Sequence, residues 1–311
     1  MTVGKQSRIY VAGHLGMAGS AIVRRLRAGG YQNLLLRSRA ELDLLDQGAV
    51  RSWMRRERPE YVFHAAGKVG GIAANDRERA AFLYENLVLE ANIIHAAWEA
   101  AAAGLVFLGS SCIYPRDCPQ PIREEYLLTG PLEQTNEPYA IAKIAGVKLC
   151  ESYNRQYGAK FVAVMPTNLY GPNDNYDLES SHVLAALLRK AHEAKERGEH
   201  RLVVWGSGTP RREFLHADDL ADACVFLMER GISESLFNVG TGTDITIREL
   251  AEIILQAVGL EGEIELDPAR PDGTLRKLLD VTRMKALGWT ARIDLRSGIR
   301  SAYEDLRLSL R

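Results

Sequence analysis

Short apolar segments alternate with longer helical patterns through the first half of this sequence, and this alternation limits the possible folds more than any other feature. The segments that read as buried strands are 8–12, 34–36, 61–64, 105–108 and 160–165. The helical patterns cover 17–28, 80–103 and 138–157. Because strands that alternate with helices form βαβ units with right-handed crossovers, the sequence predicts a doubly wound α/β fold with a parallel sheet.

The sequence becomes richer in loop residues after Met165, where Pro166, Gly171 and Pro172 indicate a boundary. Beyond it, the patterns predict helices at 183–196, 216–229 and 246–258 and strands at 202–205 and 236–239. Thr246 with Glu249 three residues later is a capping-box pattern. We expect residues 1–165 to form one domain and residues 166–311 to form mainly a smaller α/β lobe, with segments of about 212–240 returning to the first domain.

A glycine-rich turn, Gly13-His-Leu-Gly16-Met-Ala-Gly19, follows the first predicted strand and opens the first predicted helix. Its glycines let the backbone approach a pyrophosphate, which then lies at the positive end of the helix. After the second strand, where many NAD-binding proteins carry an acid, the sequence has Arg37-Ser-Arg39. Arginine can pair with a 2′-phosphate, so we predict a Rossmann-type domain that binds NADP(H) rather than NAD(H). The alternative is that both arginines are solvated surface charge.

Tyr139 and Lys143 stand four residues apart in a predicted helix, so their side chains share one face. A lysine ammonium stabilises a nearby phenolate, and we therefore expect the pKa of Tyr139 to fall toward neutrality. Ser110, at the end of a predicted strand, can hold the same substrate oxygen as the phenol. Together with a nicotinamide cofactor, these groups can perform hydride chemistry at a ketone or an alcohol.

The composition is that of an ordinary globular protein, with 46% hydrophobic and 25% charged residues among 311. A net charge of −1 gives no indication of a nucleic-acid or membrane partner. The sequence contains no apolar run of the roughly 18 residues that a membrane-spanning helix needs, and its N-terminus has no secretory pattern. Its 4 cysteines have no metal-site spacing, which favours reduced thiols and a cytoplasmic location.

The glycine turn, the Ser110…Tyr139-x-x-x-Lys143 set and the two-lobed layout resemble the extended short-chain dehydrogenase/reductase superfamily. Within it, the sequence resembles the GDP-L-fucose synthase family over nearly its whole length, from Ile9 to about Trp289. The motifs that carry this closer resemblance are Gly13-His, Lys68-Val-Gly-Gly-Ile72, Gly109-Ser-Ser-Cys-Ile-Tyr-Pro115, Thr135-Asn-Glu-Pro-Tyr-Ala-Ile-Ala-Lys143, Met165-Pro-Thr-Asn-Leu-Tyr-Gly-Pro172, Val204-Trp-Gly-Ser-Gly-Thr-Pro210, Arg212-Glu-Phe-Leu-His216 and Pro271-Asp-Gly-Thr274.

The resemblance implies an enzyme that epimerises GDP-4-keto-6-deoxy-D-mannose at C3 and C5 and then reduces C4 with NADPH. It implies a reductase triad and an epimerisation pair, with Cys112 as the base and His182 as the acid: Ser110, Cys112, Tyr139, Lys143 and His182. The cofactor-binding positions it implies are Gly13, Gly16, Met17, Gly19, Arg39, Leu108, Gly109, Lys143, Pro166, Thr167, Asn168, Leu169 and His182. Its substrate-binding positions are Asn168, Lys190, Trp205, Arg212, Asp272 and Lys277.

Residue chemistry fits these assignments. The proton on a carbon beside a ketone is acidic, because its loss gives an enolate whose oxygen Tyr139 and Ser110 can stabilise. Inversion needs one group on each face of the ring, and a thiol and an imidazole both titrate near neutral pH. The plainer alternatives are that Cys112 is a small core residue and that His182 only caps a helix.

The sequence departs from the family pattern at two positions. Leu15 replaces an arginine that is usual in the phosphate loop, so more of the NADP preference depends on Arg39 and use of NADH is an open alternative. Lys190 stands where arginine is common, and lysine cannot make the bidentate phosphate contact.

Proteins with the same fold can have other functions. A relative could act on a GDP-4-keto-6-deoxy-heptose and epimerise C3, or C3 and C5, before reducing C4. Ser111-Cys112 replaces the Asp-Glu pair of dehydratases, and a simple 4-epimerase would not need Cys112 or His182. A non-catalytic NADP sensor would commonly lose part of the triad. The family resemblance also implies a homodimer, paired through the helices predicted at 80–103 and 138–157, and a product used for surface polysaccharide.

Overall fold

The computed structural model describes residues 3–178, 180–232, 234–269 and 272–310, without the side chains of residues 72 and 73. Through residue 166 the chain alternates strands with helices almost regularly. These elements are β1 (Ile9–Ala12), α1 (Met17–Ala28), β2 (Leu34–Leu35), α2 (Gln47–Glu57), β3 (Tyr61–His64), α3 (Ile72–Arg77), α4 (Arg79–Glu99), β4 (Gly104–Leu108), α5 (Glu137–Tyr157) and β5 (Phe161–Pro166).

The remaining part of the chain has shorter strands between its helices. Its elements are β6 (Asn168–Tyr170), α6 (Val183–Glu196), β7 (Arg201–Trp205), β8 (Arg211–Arg212), β9 (Phe214–His216), α7 (Ala217–Arg230), β10 (Leu236–Val239), β11 (Ile245–Thr246), α8 (Ile247–Val258), β12 (Glu263–Asp267), β13 (Arg276–Lys277), α9 (Thr282–Ala286) and α10 (Leu295–Ser309).

The central sheet has 6 parallel strands in the order β10-β5-β4-β3-β1-β2. The strand order reverses between β1 and β3, and ligands of open α/β sheets bind outside the carboxyl ends of the strands at such a point. Helices cover both faces, because every residue of β1, β3 and β5 is buried and needs apolar cover on both sides. The prediction of a Rossmann-type fold is confirmed.

Three apolar clusters form the interior. One face of the sheet packs against α1 and α7, and the other packs against α2, α4 and α5. The third cluster joins α6, α8 and α10 beside the two-stranded β7–β12 sheet. α7 packs against α1, and β10 pairs with β5, so this stretch of the second half lies with the large sheet. None of the helices in the described ranges has the length and apolarity to cross a membrane.

Most predicted elements lie close to their observed positions. α1 has the predicted bounds, and α8 begins with the predicted capping box between Thr246 and Glu249. α4 ends earlier than predicted, at Glu99, because Ala101 adopts a left-handed φ of 56° and turns the chain into β4. The alanine run 100–103 has high helix propensity, but strand pairing of Gly104 overrides it.

Candidate active site

The glycine turn forms a close-fitting cradle at the N-terminus of α1. Gly13 has φ +80°, and a Cβ there would come within 2.6 Å of the Ala66 nitrogen. A Cβ on Gly19 would come within 2.0 Å of the Gly13 carbonyl oxygen. Gly16 is the N-cap of α1 and offers no side chain to the first backbone N–H groups. The turn therefore presents free backbone donors, with Met17 in the first turn, and fits a dinucleotide pyrophosphate.

The two arginines after β2 differ in their surroundings. Arg37 stacks 5.7 Å from the Trp53 ring centroid, donates to the Leu36 carbonyl at 2.7 Å, and lies 4.0 Å from a Glu57 oxygen. Arg39 is exposed. Of the two, Arg39 is therefore the one whose position fits a 2′-phosphate, while Arg37 is used within the protein.

The end of β4 carries Ser110 and Cys112 into the site. Leu108 ends the strand, and a Cβ on Gly109 would come within 2.0 Å of the end of the Met165 side chain, which would have to move. Ser110 caps the single helical turn Ser111–Ile113, with its hydroxyl 3.4 Å from the Cys112 backbone nitrogen. The Cys112 side chain is buried, and the Lys277 charge acts on its thiol.

Tyr139 and Lys143 project from the first turns of α5, as the spacing predicts. The Lys143 Nζ lies 5.7 Å from the Tyr139 ring centroid and donates to the Leu108 carbonyl at 3.0 Å. The Phe82 ring packs edge-on against Tyr139 at 6.2 Å. This arrangement places the phenol and the ammonium against the strand that leads to Ser110.

The expected fall in the pKa of Tyr139 does not occur. Burial raises the pKa of its phenol well above the usual range, and the neighbouring charges of Cys112 and Glu90 raise it further. Burial is the main cause, and a contact that the spacing could not reveal adds to it: the Lys143 ammonium, whose charge was expected to lower this pKa, is paired with Glu90 at 2.8 Å. Tyr139 is thus a protonated phenol, the form that can donate to a ketone oxygen.

His182 and Cys112 are both held in their neutral forms. Burial raises the pKa of the Cys112 thiol, against the lowering effects of Lys277, the Ser110 hydroxyl and Lys143. Desolvation in the cleft and the Lys277 charge lower the pKa of His182. His182 is the N-cap of α6, yet its side chain makes no capping hydrogen bond. The plain capping role is therefore excluded, and the ring remains accessible from the cleft.

The basic and aromatic candidates for substrate binding come from β13, β8, α6 and the end of β7. Lys277 in β13 is the register partner of Arg212 in β8. Desolvation lowers the pKa of each, and Asp272 opposes this effect at Arg212. Asp272 accepts hydrogen bonds from the Ser207 backbone at 2.9 Å and from the Ser207 hydroxyl at 2.7 Å.

Lys190 completes this half of the cleft. Its Nζ lies 4.4 Å from the Trp205 ring centroid, and the indole is 52% exposed at the end of β7. A cation beside an exposed aromatic ring offers contacts to both parts of a nucleotide diphosphate. The structure thus brings Lys190 and Trp205 together, and places Lys277 and Arg212 side by side.

The turn after β5 is held by the backbone carbonyl of Glu213, a buried residue that sequence reasoning missed. Thr167 and Asn168 donate to the Glu213 carbonyl oxygen at 3.1 and 2.8 Å. The Glu213 side chain accepts from the backbone nitrogens of Gly242 at 2.7 Å and Leu279 at 2.9 Å. Glu213 therefore orders the segment 166–169 beside the sheet. The sequence feature that could have singled out Glu213 is its position inside the motif 212–216.

Two further buried groups near Lys143 were also missed. Glu90 lies among apolar residues of α4, and His64 ends β3. Neither ring nitrogen of His64 has a hydrogen-bond partner within the described ranges, and burial together with the Lys143 charge lowers its pKa well below the usual range. A single carboxylate within an apolar helical stretch is the signal that would have singled out Glu90.

Comparison with known proteins identifies the family and the fold. Residues 9–240 match the model of the NAD dependent epimerase/dehydratase family. The chain is 54% identical to the GDP-L-fucose synthase of Escherichia coli strain K12 over 308 residues, which covers 96% of each protein. The chain belongs to the GDP-L-fucose synthase family.

Solved structures of family relatives have the same overall architecture. A GDP-6-OMe-4-keto-L-xylo-heptose reductase from C. jejuni superposes with a TM-score of 0.92 at 39% identity, covering 99% of this chain and 100% of that one. A GDP-L-fucose synthetase from Naegleria fowleri bound to NADP superposes with a TM-score of 0.91 at 27% identity, covering 100% and 95%. Of the family motifs, Pro271 lies outside the described residues.

Proposed function

We propose that this protein is a GDP-L-fucose synthase, an NADPH-dependent enzyme that converts GDP-4-keto-6-deoxy-D-mannose to GDP-L-fucose. One observation carries the proposal: the turn bearing Ser110 and Cys112 meets the Tyr139–Lys143 face of α5 at the carboxyl end of the central sheet. Reductase groups and a candidate epimerisation base thus converge on one cleft. Family membership at 54% identity supports the substrate.

The residue roles are part of the proposal. The catalytic residues are Ser110, Cys112, Tyr139, Lys143 and His182. NADP(H) would be held by Gly13, Gly16, Met17, Gly19, Arg39, Leu108, Gly109, Lys143, 166–169 and His182. The sugar nucleotide would be held by Asn168, Lys190, Trp205, Arg212, Asp272 and Lys277. The glycine cradle and the exposed Arg39 support the cofactor, and a fucose synthetase from Naegleria fowleri has been solved with NADP.

Epimerisation uses the acidity of the protons beside the C4 ketone. Cys112 removes a proton from C3 or C5, and the enolate charge that forms on O4 is stabilised by the Tyr139 and Ser110 hydroxyls. His182 returns a proton to the other face of the ring, which inverts the carbon. Because both groups rest neutral, the thiol proton must first pass to the His182 imidazole, which makes the thiolate base and the imidazolium acid together; the Lys277 charge favours the thiolate.

Reduction uses the same oxygen. NADPH, when bound, supplies the hydride that reaches C4. Tyr139 donates its proton to O4, and Ser110 orients that oxygen by a hydrogen bond. The Lys143 ammonium stabilises the phenolate that Tyr139 leaves behind. Arg212 and Lys190 anchor the diphosphate, so the sugar can turn over through every step without leaving the cleft.

A second candidate substrate is a GDP-4-keto-6-deoxy-heptose. The support is the likeness, at 39% identity, to the GDP-6-OMe-4-keto-L-xylo-heptose reductase from C. jejuni. The same reacting groups would serve, since the two sugars differ beyond C6 and not at C3, C4 or C5.

The test is NADPH oxidation after addition of each GDP-4-keto sugar, with NADH compared in parallel. We expect turnover with GDP-4-keto-6-deoxy-D-mannose and a preference for NADPH. Tyr139→Phe should abolish turnover, whereas Tyr153→Phe, a tyrosine of the same helix that contacts His95, should not. Turnover with the heptose alone would contradict the proposed substrate, and an NADH preference would contradict the role of Arg39.

We further propose a cytoplasmic homodimer with the domain division 1–165 and 166–311, in which about 212–240 returns to the first domain. The four free cysteines support a reducing compartment. The pairing of β10 with β5 supports the return of the chain. Exposed apolar side chains on α4 and α5 support self-association, among them Tyr84, Leu87 and Ile141.

A further inference from the structure

A buried ion pair lies directly behind the reductase residues. Glu90, in the middle of α4, places its Oε1 atom 2.8 Å from the Nζ atom of Lys143 in α5. The two side chains are 1% and 4% exposed. Removing two charges from water is costly, and burying them does not by itself stabilise a fold. The position of this pair therefore calls for a role other than stability.

The packing of α4 against α5 makes room for the carboxylate. A Cβ on Gly146, one turn beyond Lys143, would come within 2.8 Å of the Glu90 Oε2 atom and 2.4 Å of the Phe107 ring. Lys143 also donates to the Leu108 carbonyl at 3.0 Å. The ammonium is thus fixed between Glu90 and the strand end that leads to Ser110.

The groups that face this pair come from four elements. They are Tyr139 and Cys150 on α5, His64 on β3, Cys112 on the turn after β4, and the Leu108 carbonyl of β4. His64 and Cys150 are neutral, because burial lowers the pKa of His64 and raises that of Cys150. Burial also raises the pKa of Glu90, and the Lys143 charge opposes this. Glu90 and Lys143 are thus the charged pair of this cluster, and the Glu90 charge acts on Tyr139.

We propose that Glu90 is a positioning residue for the reductase step, the internal counter-ion that fixes the Lys143 ammonium against Leu108 behind Tyr139. The proposal deepens the proposed function and rests on it. Glu90 is 1% exposed, which shields it from a bound substrate or cofactor, and it acts through Lys143.

Removal of the carboxylate takes away a negative charge that acts on Tyr139. The phenol should then lose its proton at lower pH, since the Glu90 charge raises its pKa. Loss of that proton removes the acid form of the site on the alkaline side. The alkaline limit of C4 reduction should therefore move to lower pH.

The experiment compares Glu90→Gln, which keeps shape but not charge, with Glu90→Asp, which keeps charge but not length. Glu99→Gln is the matched control, because Glu99 lies on the same helix and pairs with Arg51. For Glu90→Gln we expect the alkaline limb of NADPH oxidation to shift down by about one pH unit or more and kcat to fall about tenfold or more. KM for the sugar should change little.

Glu90→Asp should keep the limb close to that of the wild type with a lower kcat, and Glu99→Gln should keep both. An unshifted alkaline limb in Glu90→Gln, or equal shifts in Glu90→Gln and Glu90→Asp, would overturn the proposal. Glu90 would then act only through the packing of α4 against α5.

A titration without substrate separates this proposal from the proposed function. Phenolate absorbance is followed against pH, within the range where circular dichroism shows folded protein, as the difference between each protein and its Tyr139→Phe counterpart. We expect the Tyr139 phenolate at lower pH in Glu90→Gln than in the wild type. The same titration in both would overturn the role of Glu90, whereas a wild type that turns over no GDP-4-keto sugar would overturn only the proposed function.

Discussion

Cys112 lies on the turn after β4 with its thiol shielded from bulk water and within reach of the Lys277 charge. If it is the epimerisation base, Cys112→Ser should slow solvent-hydrogen exchange at C3 and C5 by about 10²- to 10⁴-fold, because a hydroxyl is a far weaker base than a thiolate. C4 reduction should persist, since Tyr139 and Ser110 are intact. NMR in deuterated water separates the two steps.

Cys118→Ser is the matched control for that substitution. Cys118 is a half-buried thiol a few residues further along, outside the proposed catalytic set. The Cys118→Ser variant should exchange the C3 and C5 hydrogens of the sugar at the wild-type rate. Equal loss of exchange in both serine variants would mean that the effect comes from disturbance of the turn.

The pH dependence of epimerisation follows from the same burial. The pKa of Cys112 is raised and that of His182 is lowered, so both groups stay neutral between about pH 6.5 and pH 9, and exchange at C3 and C5, which needs the thiol proton on the imidazole, should change little over that range. The rate should fall below this range, where both groups become protonated, and above it, where both become deprotonated. A steady rise or fall across the range would contradict the Cys112–His182 pair; stopped NMR samples at each pH provide the measurement.

At single residues, the sequence predicted the placement of the candidate groups better than their protonation. The prediction that Tyr139 and Lys143 share one face depends only on a helix between them, and both residues lie in α5. The partner of Lys143 comes from α4, far away in sequence, and the contact with Glu90 exists only because the two helices pack across Gly146. A pKa depends on burial and on such tertiary neighbours. Both raise the pKa of Tyr139, so the lowered pKa expected for it is wrong.

The cradle at the start of α1 provides a test at the scale of one element. Gly19→Ala places a methyl group 2.0 Å from the Gly13 carbonyl oxygen, whereas at Gly16 the nearest atom is 3.6 Å away. We expect Gly19→Ala to weaken NADPH binding at least about tenfold through displacement of the turn. Gly16→Ala should bind within about threefold of the wild type. Fluorescence titration of NADPH measures both, and equal affinities would contradict the cradle.

Among elements, those with a strong local signal were predicted and those without it were not. β3 and α8 are a buried apolar run and a capped amphipathic helix. α2 was missed because its many arginines, such as Arg51 and Arg55, hide a short apolar face built on Val50 and Trp53. The two-residue strands β8, β11 and β13 exist through pairing with one another, which no local pattern records.

At the scale of the whole molecule, the packed α4–α5 pair leaves an apolar outer face. Tyr84, Leu87 and Ile141 are 65%, 40% and 44% exposed. We expect a particle of twice the 34.5 kDa chain mass in solution scattering. The double variant Tyr84→Glu with Ile141→Glu should be a monomer, because charges would have to be buried in the dimer.

Leu308→Glu is the control for the dimer test, since Leu308 is a 68% exposed apolar residue on α10, outside that face. It should leave the mass unchanged. A wild-type protein with the mass of one chain would contradict the homodimer.

The most direct test of the central claim is the product formed from GDP-4-keto-6-deoxy-D-mannose and NADPH in deuterated water, identified by NMR. We expect GDP-L-fucose with deuterium at both C3 and C5 and with the C4 hydrogen delivered from NADPH. Deuterium at one carbon, or a reduced sugar with its ring configuration unchanged, would contradict a double epimerase and reductase in one cleft.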